Sequence, residues 1–209
     1  MADTEQLPYN VGFTAASLRP ELARVVAESF LKLGDWEAAK QHVLSSNALQ
    51  CRNASSAIRL ERELRQRLEC LTEEELTILS NSTGDMRNAM AWLSAIKRIR
   101  FIFDFASEVL RAKLELHDPI LRRSDYDAYF ETKSLTHSEL QGLAPSSRSK
   151  LRQVLLLMLV EAELLVPGTG LGIIRRNVLA PKVLHAILDD DPRWLAGFLF
   201  PDREIGVLR

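Results

Sequence analysis

The chain has 209 residues, with 27 Lys plus Arg against 28 Asp plus Glu, for a formal net charge of −1. That balance excludes a uniformly cationic surface for coating nucleic acid or anionic lipid, and 46% hydrophobic with 26% charged residues excludes wholesale disorder. The longest purely apolar run, Val154–Val160, is seven residues, against about 20 for a membrane-spanning helix.

No cationic, apolar leader opens the chain, and its two cysteines, Cys51 and Cys70, fit a reduced compartment. A cytoplasmic protein without a membrane partner is expected. Helical periodicity begins at Leu18–Leu33, where Leu22, Val25, Val26, Phe30 and Leu33 share a stripe and Pro20 sits in the first turn. Gly34 should end that helix, and Asp35 should cap the next, Trp36–Ser46. A third helix is expected over Ala54–Leu71, with Ala57, Leu60, Leu64, Leu68 and Leu71 as its apolar stripe. Thr72 and Glu75 have capping-box spacing for a short helix to Leu79. Asp85 should cap a long helix from Met86 to Glu115, kinked near Arg100–Phe103, where bulky residues blur the period.

Asp118-Pro119 then starts a helix over Ile120–Glu131, and Thr136 with Glu139 forms a second capping box for a short helix ending at Gly142. A strong helix follows over Ser147–Leu165, and its all-apolar second half predicts burial. Pro167-Gly168-Thr169-Gly170 reads as a turn between two short strands, Leu164–Val166 and Gly172–Arg175. Helices at Lys182–Leu188 and Asp191-Pro192 close the chain.

Few of these residues point to catalysis. Gly168–Gly172 lacks the sixth-place glycine of a dinucleotide loop, has Ile173 there instead, and leads into a strand. His42, His117, His137 and His185 have no His, Cys or Glu partner at metal-ligand helical spacing, and no nucleophile–base pair is visible. The acidic runs Glu73–Glu75 and Asp189–Asp191 sit at helix ends, where they read as solvated turns. The expectation is a protein that is not an enzyme, with no cofactor, no metal and no small-molecule substrate.

The charge pattern is more informative. Leu44–Leu60 contains no acid but holds Arg52 and Arg59, with Arg62 and Arg65 next. Ser55, Arg59, Arg62 and Gln66 fall within about 60° on a helical wheel, opposite the leucines. A helix, a turn and a second helix with such a face is the form of a major-groove reader. The competing reading is an amphipathic helix whose Glu61 and Glu63 pair with Arg65 and Arg67. Gln141–Val160 is also free of acids, and Arg148, Lys150 and Arg152 occupy the first turns of its helix. Followed by a hairpin carrying Arg175 and Arg176, with Lys182 close by, this order reads as a winged helix suited to phosphate contact. The same fold also serves protein contact.

Three stretches resemble one family. Asn47–Ser56 followed by Arg62–Leu68 is similar to the N-terminal segment of BrxA proteins. Ile96–Phe105 with Glu108–Lys113 resembles that family's central helix, and Ser146–Arg152 with the Gly-rich turn resembles its C-terminal helix and hairpin. The resemblance implies an all-helical, DNA-associated accessory protein of BREX phage-resistance systems, in which a small non-catalytic subunit accompanies a methyltransferase, an ATPase-type protein and others. Some members carry an inner-membrane label; here Glu161 and Glu163 directly follow the most apolar stretch, against that label.

The resulting expectation is a mainly α helical bundle with helix-turn-helix-like units and a C-terminal winged-helix-like β-hairpin. Residues 1–118 would form an N-terminal helical domain and 119–209 the winged-helix-like domain. Double-stranded DNA and other defence subunits are the expected partners, DNA being held through Arg52, Arg59, Arg62, Arg65, Arg148, Lys150, Arg152, Arg175 and Arg176. The alternative is an adaptor whose winged helix docks onto proteins.

Overall fold

Helix-start and helix-stop signals account for most of the computed structural model, which describes residues 8–208. A 3₁₀ turn at Gly12–Ala15 precedes α1 (Pro20–Leu33), which opens on its proline. Gly34 closes α1 in the left-handed region and donates its N–H to the Phe30 carbonyl. The Asp35 side chain then accepts from the Ala38 N–H at 2.7 Å and opens α2 (Trp36–Ser45). Asn53 does the same for α3 (Ala54–Leu68). The Thr72–Glu75 capping box forms reciprocally at the start of α4 (Glu73–Asn81). Each such cap satisfies donors that the helix itself leaves unpaired.

The hub is α5 (Gly84–Arg98), buried on every side from Ala89 to Ile96. Trp92, fully buried, donates its indole N–H to the Gly197 carbonyl and so ties the C-terminal segment to the hub. Gly84 and not Asp85 begins this helix; Asp85 lies in its first turn and caps nothing. The expected kink is a break at Ile99, followed by α6 (Arg100–Asp104), a π-helical segment (Phe105–Leu110) and α7 (Arg111–Glu115). Ile99, Phe101, Ile102 and Phe105 are all fully buried at and after the break.

After Pro119 the structure departs from the expected helix. Ile120–Leu121 is a strand, β1, and the helix α8 (Arg123–Ser134) begins only afterwards. β1 pairs antiparallel with β3 (Gly172–Ile174), which also pairs with β2 (Leu165–Val166), giving the order β1-β3-β2. The hairpin is therefore as expected, with a third strand added by residues whose local pattern fits helix or strand. Gly172 is required there: at φ 143 a Cβ would lie 2.9 Å from the Val166 carbonyl oxygen.

The second capping box is absent. Glu139, in α9 (Ser138–Gln141), accepts instead from the Tyr9 backbone N–H, and Thr136 lies outside that helix. The next helix, α10, spans Pro145–Glu161. Its second half is not buried all round, because Leu157 and Val160 are 46% and 45% exposed. Leu33, placed on the apolar stripe of α1, is likewise exposed. The chain continues through α11 (Pro181–Asp190), a 3₁₀ segment (Pro192–Phe198) and α12 (Asp202–Leu208), the last not anticipated. One hydrophobic cluster runs from Tyr9 to Ile205 through the helices on both sides of β1. None of the helices among the described residues is long and apolar enough to cross a membrane.

The junction before β1 is held by charge. Asp118 accepts from Arg122 at 2.6 Å and from Lys113 at 2.7 Å, and these two bonds hold its carboxyl well below the usual carboxylate range. A depressed carboxyl stabilises the folded state above its unfolded value of about 3.9 and loses that contribution as pH falls below it. Asp118→Asn is therefore expected to flatten the acid side of the stability profile, read as urea midpoints at neutral and acid pH. An unchanged profile would mean that the junction gains nothing from the pair.

Candidate nucleic-acid interface

The nine cations expected to contact DNA do not form one surface. Arg59 and Arg62 stand one helical turn apart on the outer face of α3, both exposed and without an ion pair among the described residues. Lys150 is exposed on the second turn of α10 and makes only a 3.5 Å contact to Gln153. Gly12, Thr14, Ala15, Arg59, Arg62, Glu63 and Lys150 surround one open cleft of about 410 Å³. Two basic windows separated by almost ninety residues of sequence thus meet across a shared floor, the 3₁₀ turn near the N-terminus. The Glu63 carboxylate in its wall is already held by Arg67 at 2.7 Å, so the net charge of the cleft is positive.

The other six are committed to different partners or lie elsewhere. Arg65 bridges Glu61 at 2.9 Å and Glu69 at 2.6 Å. Burial pushes its pKa down, but these carboxylates outweigh that and raise it. Arg148 stacks over Phe130 and donates to the Leu143 carbonyl, although it remains exposed. Arg152 pairs with Asp127 of α8 and lies over the Tyr126 ring. Arg175 faces Glu163, while Arg176 bonds Glu204 at 2.7 Å and covers Phe200. Both line a separate cleft of about 610 Å³ with Asp85 and Asn177. Arg52 is exposed in the bend before α3, outside the shared cleft.

Two charged residues that hold the cleft together were missing from the expected site. Arg67 is buried and donates to the Ser17 carbonyl at 2.7 Å, the Ala16 carbonyl at 2.8 Å and Glu63. Burial pushes its guanidinium below the ordinary value, against the opposing pull of Glu63 and Glu161. Glu161, at the end of α10, accepts from the Ser17 hydroxyl at 2.8 Å and the Leu18 N–H at 2.7 Å. Arg67 had a legible signal, since on the wheel it lies about 20° from Leu60 at the edge of the leucine stripe. Nothing in the sequence around Glu161 marks its partners.

Fold and cleft together define a mainly helical protein whose N- and C-terminal helices present cations around a common opening. The family model for BrxA matches residues 7–191, and the chain belongs to the BrxA family. A protein named "BREX protein BrxA" from Bacillus cereus (strain H3081.97) is 24% identical over 148 residues, covering 71% of this chain and 74% of the relative. The same fold is seen in the crystal structure of an uncharacterized protein from Magnetospirillum magneticum. It matches with a TM-score of 0.81 at 19% identity, over 92% of this chain and 98% of that one.

Proposed function

We propose that this BREX accessory protein binds duplex DNA through its phosphates, with no catalytic step of its own. The observation that carries the reading is the meeting of Arg59, Arg62 and Lys150, all exposed, around one cleft. Cations held apart from carboxylates gain most from a polyanion, because phosphate contact releases condensed counterions without first breaking an ion pair. Phosphate contact asks only for the cations that the cleft presents, and such contacts position a protein on the duplex without reading sequence. In this reading residues 119–209 act as a winged-helix-like unit, with α10 followed by the β2–β3 hairpin, packed against an N-terminal helical unit over 1–118. The protein works in the cytoplasm beside the other subunits of the defence system.

An anisotropy titration with two duplexes of unrelated sequence tests this. Equal affinities that fall with added salt are the expected result, and no binding at low salt would contradict it. The exposed Leu157, Val160 and Ile173 favour a second reading, an adaptor that docks onto proteins, which a negative titration would leave in place.

A further inference from the structure

The floor of the cationic cleft is part of a strap, residues 8–18, that crosses between the N- and C-terminal units. Its first anchor is Tyr9, whose ring stacks on His137 and whose hydroxyl donates to Asp104 of α6 at 2.6 Å. The Tyr9 N–H reaches Glu139 of α9. Its second anchor lies beyond the 3₁₀ turn, which packs against both α3 and α10. There the backbone of Ala16–Leu18 is gripped from two sides. Arg67 of α3 takes the carbonyls of Ala16 and Ser17, while Glu161 of α10 takes the Ser17 hydroxyl and the Leu18 N–H.

Those are the two helices that carry the cleft's cations, Arg59 and Arg62 on one and Lys150 on the other. A strap bound to both helices by a buried cation and a carboxylate sets how far apart they stand. We infer that Arg67 and Glu161 are positioning residues, which clamp the strap and thereby fix the spacing of Arg59 and Arg62 from Lys150 to suit a DNA phosphate. The inference rests on the phosphate-binding reading above. It adds a role for two side chains that do not themselves line the cleft.

The physical reason for a strap is the cost of holding like charges together. Three cations around one cleft repel one another, which favours their drifting apart. Charge-assisted hydrogen bonds to backbone groups resist that drift because they are short and directional. Glu161→Gln is the sharpest probe: the amide keeps the side chain's size and can still meet the Leu18 N–H and the Ser17 hydroxyl, but it removes the charge that strengthens both clamp bonds and that acts on Arg67.

Spin labels on Ser56→Cys and Ser149→Cys, in a chain with Cys51→Ser and Cys70→Ser, report the separation of α3 and α10. The parent should give one narrow distance distribution, and Glu161→Gln should broaden it at unchanged helicity. In the unlabelled protein the same substitution should weaken duplex binding about tenfold. A narrow distribution with parental affinity in Glu161→Gln would overturn the inference. So would a broadened distribution with parental affinity, since spacing would then not matter to binding. If the parent binds no DNA at all, the phosphate reading fails, and the distance comparison still decides whether the clamp sets the spacing. Ser17→Ala removes a single hydroxyl from the same clamp. It should broaden the distribution as well, and it serves for the comparison if Glu161→Gln does not fold.

Discussion

Arg67→Met is expected to lower stability by about 3–5 kcal/mol, the range for removing one partner of a buried charged network. The methionine fills much of the arginine's volume, so the loss comes from polar groups and not from a cavity. Two backbone carbonyls, of Ala16 and Ser17, would lose their donor in a site where water cannot replace it, and Glu63 would lose its cation. Burial lowers the Arg67 pKa, yet a guanidinium stays protonated at neutral pH, so the charge and its bonds are present in the folded state. A urea denaturation midpoint shifted well below the parent, with the slope kept, is the result to look for. A midpoint equal to the parent would show that residues 16–18 are held by other contacts.

Arg59→Glu with Arg62→Glu is expected to do the reverse, leaving the fold intact and abolishing DNA binding. Both side chains point away from the leucines of α3 and have no ion pair among the described residues, so no native bond is broken. Exposed helix charges of this kind change stability by a few tenths of a kcal/mol. At the cleft, however, two cations become two anions beside Lys150, and phosphate would meet repulsion where it met attraction. Melting close to the parent together with lost duplex affinity is the expected pair of observations. A sharp fall in melting temperature would instead make these arginines structural, and the α3 face would be scaffold.

Much of the helical framework was legible because its signals are local. Gly34 then Asp35, Thr72 with Glu75, and the Pro167–Gly170 turn each act through a neighbour within a few residues. What was not legible depends on distant groups. Ile120–Leu121 becomes a strand only because Ile173 and Gly172 lie alongside. The Thr136–Glu139 box does not form: α9 starts only at Ser138, and the Glu139 carboxylate accepts from the N–H of Tyr9, 130 residues away. Strap residues 8–18 owe their course to Arg67, Glu139 and Glu161, none of which is near them in the chain.

The candidate site divides along the same line. An acid-free window and the helical wheel pointed to Arg59 and Arg62, a second such window pointed to Lys150, and the structure brings those three together. Composition could not show which other cations were already engaged. Arg152 finds Asp127 from 25 residues away and Arg176 finds Glu204 from 28, so a window scan counts both as free. The pairing of Arg65 with Glu61 was visible at i, i+4, and the amphipathic-helix reading was right for that residue.

The most direct test of a single phosphate-binding cleft is the salt dependence of duplex binding, measured for the parent and for Arg59→Ala, Arg62→Ala, Lys150→Ala combined. Each cation that neutralises a phosphate contributes about 0.9 to the slope of log affinity against log salt, so losing three should reduce the slope by about 2.7. That reduction, with melting close to the parent, is what the cleft predicts. A triple variant that keeps the parental slope would contradict it, because the phosphates would then be held somewhere else on the protein.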